Sequence, residues 1–130
     1  MAINPDDIRI AVVDDEKVIL DVFSSLLTQA HYHADFFNNP QEAYQAIAAH
    51  PDRYDLVITD ISMPQEDGVA FAKKVRSNFP RKIPFIFMTG YASEEKRKEA
   101  LALGRVDFLN KPFILMEVVH KAIVSLLESS

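Results

Sequence analysis

The order of apolar segments predicts a doubly wound α/β fold with a five-stranded, mainly parallel sheet. Short apolar runs alternate five times with stretches of helical periodicity, as where IRIAVV is followed by Ile19, Val22 and Phe23. Strands that are apolar throughout are typical of parallel sheets covered by helices on both faces. A chain of 130 residues suits one domain, and five units are too few for an eight-stranded barrel. The sequence therefore predicts a three-layer sandwich with the strand order 2-1-3-4-5.

The predicted strands and helices follow one another along the whole chain. Strands are predicted at residues 8–13, 33–37, 55–59, 84–89 and 106–109, where short apolar runs occur. The first, third and fifth helices carry apolar residues at the spacing of a single helix face. These residues are Ile19, Val22, Phe23, Leu26, Leu27 and Ala30 in the first helix, Val69, Ala72 and Val75 in the third, and Leu115, Val118, Val119, Ala122, Ile123, Leu126 and Leu127 in the fifth.

Start and stop signals mark the second and fourth helices. Asn39 is predicted to cap the second helix, with Pro40 at its first position and Glu42 at the capping-box position. Ser93 is predicted to cap the fourth helix, which is expected to end at Gly104. This helix begins with the charged run EEKRKE. A solvated helix face is the ordinary explanation of such a run, and we expect the helix to be loosely held.

Composition argues against several classes of protein. The net charge of −5 and the pI near 5.3, without a stripe of Lys or Arg, argue against direct binding of nucleic acid. The absence of cysteine excludes a disulfide framework and a thiolate metal site. No apolar stretch approaches the roughly 20 residues that span a bilayer, so we expect a cytoplasmic protein that does not bind membranes. We interpret residues 1–130 as one domain, of which residues 1–7 form an N-terminal tail.

Polar side chains stand at the ends of four predicted strands. Asp14 and Asp15 follow the first strand, Asp60 follows the third, Thr89 ends the fourth and Lys111 follows the fifth. Because the carboxyl ends of parallel strands meet at one edge of a sheet, these side chains are expected to converge where the winding reverses. Taken singly, each has an ordinary explanation as a helix cap, a turn, a strand residue or a loop residue. Their joint placement favours a single site.

The three acidic residues of this set predict a divalent cation. Asp14, Asp15 and Asp60 would repel one another unless a cation lay among them. Mg²⁺ prefers oxygen ligands and keeps several waters, so it would leave room for phosphate oxygens. Carboxylates also argue against a flavin mononucleotide site, because they would repel its phosphate. The predicted flavodoxin-like strand order would thus carry an acidic metal site instead of a flavin.

Four segments together resemble one protein family. The segments VVDDE, LVITDISMPQEDG, FIFMTG and DFLNKPF resemble, in order and spacing, the response-regulator receiver domain of two-component signalling. The match covers essentially the whole chain. The resemblance implies that Asp60 accepts a phosphoryl group. It also implies that Mg²⁺ is held by Asp60, by Asp15 directly, by Asp14 through water, and by the backbone carbonyl of Ser62.

The resemblance also implies a conformational switch. Thr89 matches the switch hydroxyl of the family, and Lys111 matches its phosphate-pairing lysine. Phe108 occupies the aromatic switch position, where many relatives have tyrosine. Its ring can be buried or exposed but offers no hydroxyl, and simple core packing explains it equally well. Lys111 precedes Pro112, where the family often has a cis peptide bond that this sequence permits.

The function implied by the resemblance is that of a phosphorelay receiver. Such a domain takes its phosphoryl group from a sensor histidine kinase or a phosphotransfer protein. The face made by the fourth helix, the fifth strand and the fifth helix would then bind a downstream protein or a covalently linked output domain. The same face is also suited to a homodimer. Chemistry would be limited to phosphorylation and dephosphorylation of the chain itself, so an enzyme is not expected.

Two other functions use a similar set of residues. Phosphatases that resemble the haloacid dehalogenases have a nucleophilic Asp, Mg²⁺, a hydroxyl and a lysine. They also need a second Asp two residues after the nucleophile as general acid, and here that position is Ser62. The other candidate is a receiver-like binding module that takes no phosphate. Such modules usually lack an acid or the lysine, and none is missing here.

Overall fold

A computed structural model describes residues 4–90, 93–111 and 116–128. Within these residues, five strands alternate with five helices. The strands are β1 (Arg9–Val13), β2 (His33–Phe37), β3 (Leu56–Asp60), β4 (Phe85–Thr89) and β5 (Val106–Asn110), and the helices are α1 (Lys17–Gln29), α2 (Pro40–Ala49), α3 (Gly68–Asn78), α4 (Glu94–Ala102) and α5 (Met116–Glu128). A 3₁₀ turn at Pro5–Asp7 precedes β1, in the segment expected to be a tail. The expectations for Pro112 and Leu115 lie outside the described residues.

The five strands form one parallel sheet in the order β2-β1-β3-β4-β5, as the sequence predicted. Val13 lies opposite Phe37 on one side and Thr59 on the other, so β1 and β2 end at the same level and β3 extends one residue further. Asp60 pairs with Met88, and Thr89 pairs with Asn110. The winding therefore reverses between β1 and β3, and the strand ends line one edge of the sheet.

The sheet divides the core into two hydrophobic clusters. One cluster lies beneath α2, α3 and α4 and contains Phe71, Phe85 and Phe87. The other lies beneath α1 and α5 and contains Phe23 and Ile123. Because side chains alternate across a strand, the buried strands supply residues to both clusters. Every residue of β3 and β4 is buried, which agrees with the solid apolar runs of the sequence.

Two of the helices, α2 and α4, begin at their predicted caps. The side chain of Asn39 accepts a hydrogen bond from the Glu42 N–H at 2.8 Å, directly before Pro40. Ser93 caps α4 in the same way through the N–H of Lys96. Gly104 has a φ of 72° just after α4, where glycine avoids the strain of a left-handed backbone.

The buried faces of α1 and α5 are narrower than the apolar patterns of these helices predict. Val22 in α1 is 36% exposed, and Val118 in α5 is 52% exposed. Each helix buries a stripe of residues four apart, such as Phe23 and Leu27 in α1, and the two valines lie beside those stripes. In the described part of the chain, no helix has the length and apolarity that crossing a membrane requires.

The fourth helix packs weakly against the rest of the molecule. Ala100 is the buried residue of α4, and Leu101 is 56% exposed. The charged run in its first turns faces solvent or neighbouring charged side chains, except that Arg97 lies over the ring of Phe108. This arrangement agrees with the expectation of a loosely held helix, because little apolar surface is buried.

Candidate functional site

The strand ends bring the predicted polar residues to one edge of the sheet. The backbone ladder continues past the strands, because the Asp14 N–H donates to the Phe37 carbonyl at 3.1 Å and the Lys111 N–H donates to the Thr89 carbonyl at 2.9 Å. Asp60 is the last residue of β3, and Thr89 is the last residue of β4. Regular strand pairing thus fixes the backbone at all four positions.

Three carboxylates gather at the end of β1 and β3. Asp14, Asp15 and Asp60 each offer an oxygen, and these oxygens lie within 4.8 Å of one another. Asp14 is fully buried and Asp60 is 5% exposed, whereas Asp15 lies at the surface. This is the acidic set that the sequence predicted, and its oxygen donors match the ligand preference of Mg²⁺.

Backbone N–H groups orient the two buried carboxylates. Oδ1 of Asp14 accepts a hydrogen bond from the Glu16 N–H at 2.8 Å, and Oδ1 of Asp60 accepts one from the Ser62 N–H at 3.1 Å. These contacts leave the Oδ2 atom of each side chain directed elsewhere. The described contact of Ser62 with Asp60 is therefore made by its N–H, and the expected use of its carbonyl as a metal ligand stays a prediction.

The ammonium group of Lys111 joins the carboxylates. Its Nζ lies 3.0 Å from Oδ2 of Asp14, 3.1 Å from Oδ2 of Asp60 and 3.0 Å from Oε1 of Glu16. Burial lowers the pKa of Lys111, but its contacts with the three carboxylates outweigh burial and raise that pKa. The lysine is therefore charged and partly neutralises the acidic cluster.

The ionised carboxylate of Asp14 is destabilised in this arrangement. Burial raises the pKa of Asp14, and the neighbouring charge of Asp60 raises it further. The hydrogen bond from the Glu16 N–H and the contact with Lys111 lower the pKa, but they offset only part of the increase. A further positive charge at this position would relieve the remaining cost.

Thr89 presents an unused hydroxyl in the same region. The residue is 5% exposed, and its Oγ1 has no hydrogen-bond partner among the described residues. A buried hydroxyl without a partner is costly, so such groups commonly mark a place where a ligand or an alternative conformation supplies one. The hydroxyl thus remains available to an acceptor oxygen.

The loop after β3 passes close to Asp60. The Gly68 N–H donates to the Ile61 carbonyl at 2.8 Å, and a Cβ built on Gly68 would lie 2.2 Å from the backbone oxygen of Asp60. Asp67 caps α3 through the Ala70 N–H at 2.8 Å. Glycine at this position therefore lets the loop fold tightly against the acidic site.

Phe108 lies at the end of a row of aromatic rings. Phe85 stacks on Phe87 with 5.8 Å between ring centres, and Phe87 contacts Phe108 at 5.9 Å. The guanidinium of Arg97 in α4 lies 4.4 Å from the centre of the Phe108 ring. The ring is half-buried, so it belongs partly to the core and partly to the surface beside α4.

Sequence reasoning missed two charged residues, Glu16 beside Lys111 and Arg97 beside Phe108. Glu16 follows the acidic pair directly, but consecutive residues leaving a strand do not generally point toward one place. Arg97 belongs to the charged run of α4, and the sequence carries no sign that its partner is Phe108. The letters DDE were the available signal for Glu16, whereas no comparable signal existed for Arg97.

Comparisons with known proteins agree with this geometry. Residues 10–123 match the family described as the response regulator receiver domain. The regulatory protein AtoC of Escherichia coli is 38% identical over 85% of this chain and 23% of its own length. The 3′,5′-cyclic-nucleotide phosphodiesterase regA of Dictyostelium discoideum is 34% identical over 97% of this chain and 16% of its own length. The chain thus spans less than a quarter of either relative.

Solved structures share the whole fold. The chemotaxis protein CheY4 of Vibrio cholerae is 30% identical, with a TM-score of 0.81 over 92% of this chain and 98% of that one. A receiver domain protein of Clostridium thermocellum has the same fold at 24% identity, with a TM-score of 0.85 over 94% of this chain and 95% of that one. The match in sequence and in fold leads to one conclusion: the chain belongs to the response regulator receiver domain family of two-component systems.

Proposed function

We propose that this chain is a phosphorelay receiver in which Asp60 accepts a phosphoryl group. The observation that carries the proposal is the convergence of three carboxylates and the Lys111 ammonium on one edge of the sheet. Donors would be a sensor histidine kinase or a phosphotransfer protein, as in the family to which the chain belongs. Residues 1–130 would act as one receiver domain, with residues 1–7 as its N-terminal tail.

The chemistry assigned to Asp60 is a nucleophilic displacement at phosphorus. A carboxylate oxygen of Asp60 forms the new O–P bond while the N–P bond of the phosphohistidine breaks, and the leaving imidazole keeps the electron pair. Lys111 lies 3.1 Å from Asp60 and is placed to pair with a phosphoryl oxygen. The buried position of Asp60 limits the access of water.

The acidic set fits Mg²⁺ by its chemistry and its charge. Asp14, Asp15 and Asp60 would hold the ion together with the carbonyl of Ser62, and waters would complete the coordination. Burial and the neighbouring charge of Asp60 raise the pKa of Asp14, and a divalent cation would offset that cost. When bound, Mg²⁺ would neutralise charge on the phosphoryl oxygens.

Switching is assigned to Thr89, Lys111 and Phe108. The free hydroxyl of Thr89 and the ammonium of Lys111 would both turn toward the phosphoryl oxygens. Two such charge-assisted hydrogen bonds contribute about 1.5–3 kcal/mol each, while moving a population from 1:99 to 99:1 requires about 5.5 kcal/mol. Phosphorylation alone leaves little margin, so partner binding to the α4, β5 and α5 face would help to complete the switch.

The proposed partners lie beyond this chain. The curated relatives are several times longer, so the output is either a covalently linked domain or a separate downstream protein. A homodimer through the α4, β5 and α5 face is a further form that the proposal includes. We infer a cytoplasmic location, because the phosphoryl group of such a relay originates in ATP. Direct binding of nucleic acid or membrane is not assigned to this domain.

Phosphorylation of Asp60 can be tested directly. After incubation with acetyl phosphate and Mg²⁺, the wild-type chain is expected to shift in phosphate-affinity electrophoresis, and the shift should disappear after brief alkaline hydrolysis of the acyl phosphate. The Asp60→Asn variant should not shift, because an amide oxygen is a poor nucleophile. Asp55→Asn, in the residue that directly precedes β3 at the end remote from Asp60, is the matched control and should shift like the wild type. Equal labelling of Asp60→Asn and the wild type would refute the proposal.

A phosphatase of the haloacid dehalogenase type is the alternative. Ser62 occupies the position of the general acid and lies exposed in the loop after β3, and a serine hydroxyl is a weak proton donor. We therefore assign no multiple-turnover activity to this chain. Release of more phosphate than one equivalent per chain from a phosphomonoester would favour the enzyme.

A further inference from the structure

Glu16 contacts the site without belonging to the predicted acidic set. Its Oε1 lies 3.0 Å from Nζ of Lys111, and its side chain is 60% exposed. Glu16 is also the N-cap residue of α1, yet its side chain makes no capping hydrogen bond. The carboxylate is therefore directed to Lys111 and not to the helix end that it could have capped.

Lys111 contacts carboxylate oxygens that a metal ion at this site would bind. The Oδ1 atoms of Asp14 and Asp60 are each engaged by a backbone N–H, and both Oδ2 atoms contact the Lys111 ammonium. A divalent cation bound by these carboxylates would be brought beside the ammonium, and the two positive charges would repel. Binding of Mg²⁺ and the present position of Lys111 therefore oppose each other.

Glu16 offers the displaced ammonium a second partner. It lies at the solvent side of Lys111, whereas Asp14 and Asp60 lie at its buried side. A lysine that swings away from the two buried carboxylates can keep its contact with Glu16, so it need not give up every partner. Without Glu16, the same displacement would leave the charge with water alone.

We propose that Glu16 is a positioning residue that receives Lys111 when Mg²⁺ enters the site and thereby strengthens Mg²⁺ binding. This inference rests on the Mg²⁺ site of the proposed function and adds the control of its occupancy. Glu16 acts through Lys111 and needs no contact with the ion. The same contact keeps the Lys111 ammonium close to Asp14 and Asp60. It can therefore pair with a phosphoryl oxygen once Asp60 carries a phosphoryl group.

The test is a double-mutant cycle on the affinity for Mg²⁺ alone. Calorimetric titration with MgCl₂ would compare the wild-type chain, Glu16→Gln, Lys111→Ala and the double variant. Glu16→Gln is expected to weaken Mg²⁺ binding about two- to fivefold, the range of exposed ion pairs. Lys111→Ala should tighten binding, because the competing charge is gone. In that background, Glu16→Gln should have no further effect.

The cycle separates the proposal from simple attraction of Mg²⁺ by a negative charge. An equal loss of affinity on Glu16→Gln with and without Lys111 would overturn the inference, as would no loss in either background. Glu16→Asp should restore part of the affinity, since it keeps the carboxylate. Asp21→Asn, an exposed acid on the same helix, is the charge-matched control and should bind Mg²⁺ like the wild type.

The outcome also distinguishes the inference from the proposed function. A wild-type chain that binds no Mg²⁺ would contradict the proposed metal site itself. A chain that binds Mg²⁺ and is phosphorylated on Asp60, but whose Mg²⁺ affinity does not depend on Glu16, would contradict the inference alone. Unfolding curves in a chelator would verify that each variant is folded during the titration.

Discussion

Gly68, the first residue of α3, lies against the backbone at the end of β3. An added Cβ at Gly68 would lie 2.2 Å from the Asp60 carbonyl oxygen and 3.1 Å from Cα of Ile61. Both neighbours are backbone atoms, which cannot move without displacing β3 or the loop. Replacement of Gly68 by alanine therefore tests whether this close approach contributes to the stability of the fold.

Gly68→Ala is expected to destabilise the fold by about 1–3 kcal/mol or more, as for other overpacked positions. Urea unfolding monitored by circular dichroism would measure the change. Gly90→Ala is the matched control, since its Cβ would make an ordinary contact at 3.8 Å with Cβ of Lys111. Equal stability of the two variants would contradict the close approach at Gly68.

Asp14 is a second residue whose substitution should change the stability of the fold. Its raised pKa means that the charged carboxylate is held at a net cost, mainly because of burial. Asp14→Asn keeps an Oδ1 acceptor for the Glu16 N–H and removes the charge. In a chelator near neutral pH, this variant should unfold at a higher temperature than the wild type. A lower melting temperature would indicate that the contact with Lys111 outweighs the cost of burial.

At the scale of the element, α4 is held by charged contacts more than by apolar burial. Near its first turn, Lys96 contacts Asp67 at 2.9 Å and Glu99 at 3.2 Å. After its last turn, Arg76 of α3 donates to the carbonyls of Leu103 and Gly104 at 2.8 and 2.9 Å. The start of α4 is thus bound to Asp67 in the loop before α3, and the residues after its end are bound to Arg76 of α3.

Removal of Arg76 should loosen this element selectively. Arg76→Met leaves the Leu103 and Gly104 carbonyls without their donor, as well as the Ile83 carbonyl, and should cost about 2–4 kcal/mol. Amide hydrogen exchange should rise more in α4 than in α5. Lys98→Met, an exposed substitution within α4, is the control and should leave exchange unchanged. A uniform rise in exchange across the molecule would argue against a local anchor.

The sequence predicted the sheet as a whole and the polar residues that lie at, or directly after, the ends of its strands. Asp14, Asp60, Thr89 and Lys111 could be placed in advance because strand direction and pairing fix the backbone at those positions. Contacts of long side chains could not be placed in this way. Arg76 reaches carbonyls about 27 residues away, and its partners depend on how α3 and α4 pack. Such side-chain contacts follow from tertiary structure and leave no periodic pattern in the sequence.

Global stability should depend on pH through Asp67. Burial raises the pKa of Asp67, but the Ala70 N–H and Lys96 outweigh burial and lower that pKa below its ordinary value of 3.8. The ionised carboxylate therefore stabilises the folded state at neutral pH. This contribution is lost as the pH falls from the ordinary value through the lowered pKa.

Asp67→Asn isolates that contribution, because the amide oxygen can still cap α3 while the ion pair with Lys96 is lost. Urea unfolding of both chains from about pH 7 to about pH 3 should give a wild type that is more stable at neutral pH. The difference should shrink toward the acid end of the series. A difference that stays constant with pH would mean that the charge of Asp67 does not contribute.

The hydrogen bond from the Lys111 N–H to the Thr89 carbonyl has a mechanical consequence. It joins the tips of β4 and β5 through the main chain, at the residue that ends β4 and the residue that follows β5. We therefore expect a displacement of one strand tip to move the other through this main-chain hydrogen bond, independently of the two side chains. Amide resonances of Thr89 and Lys111 should accordingly shift together when MgCl₂ is added, which NMR of the isotopically labelled chain would measure.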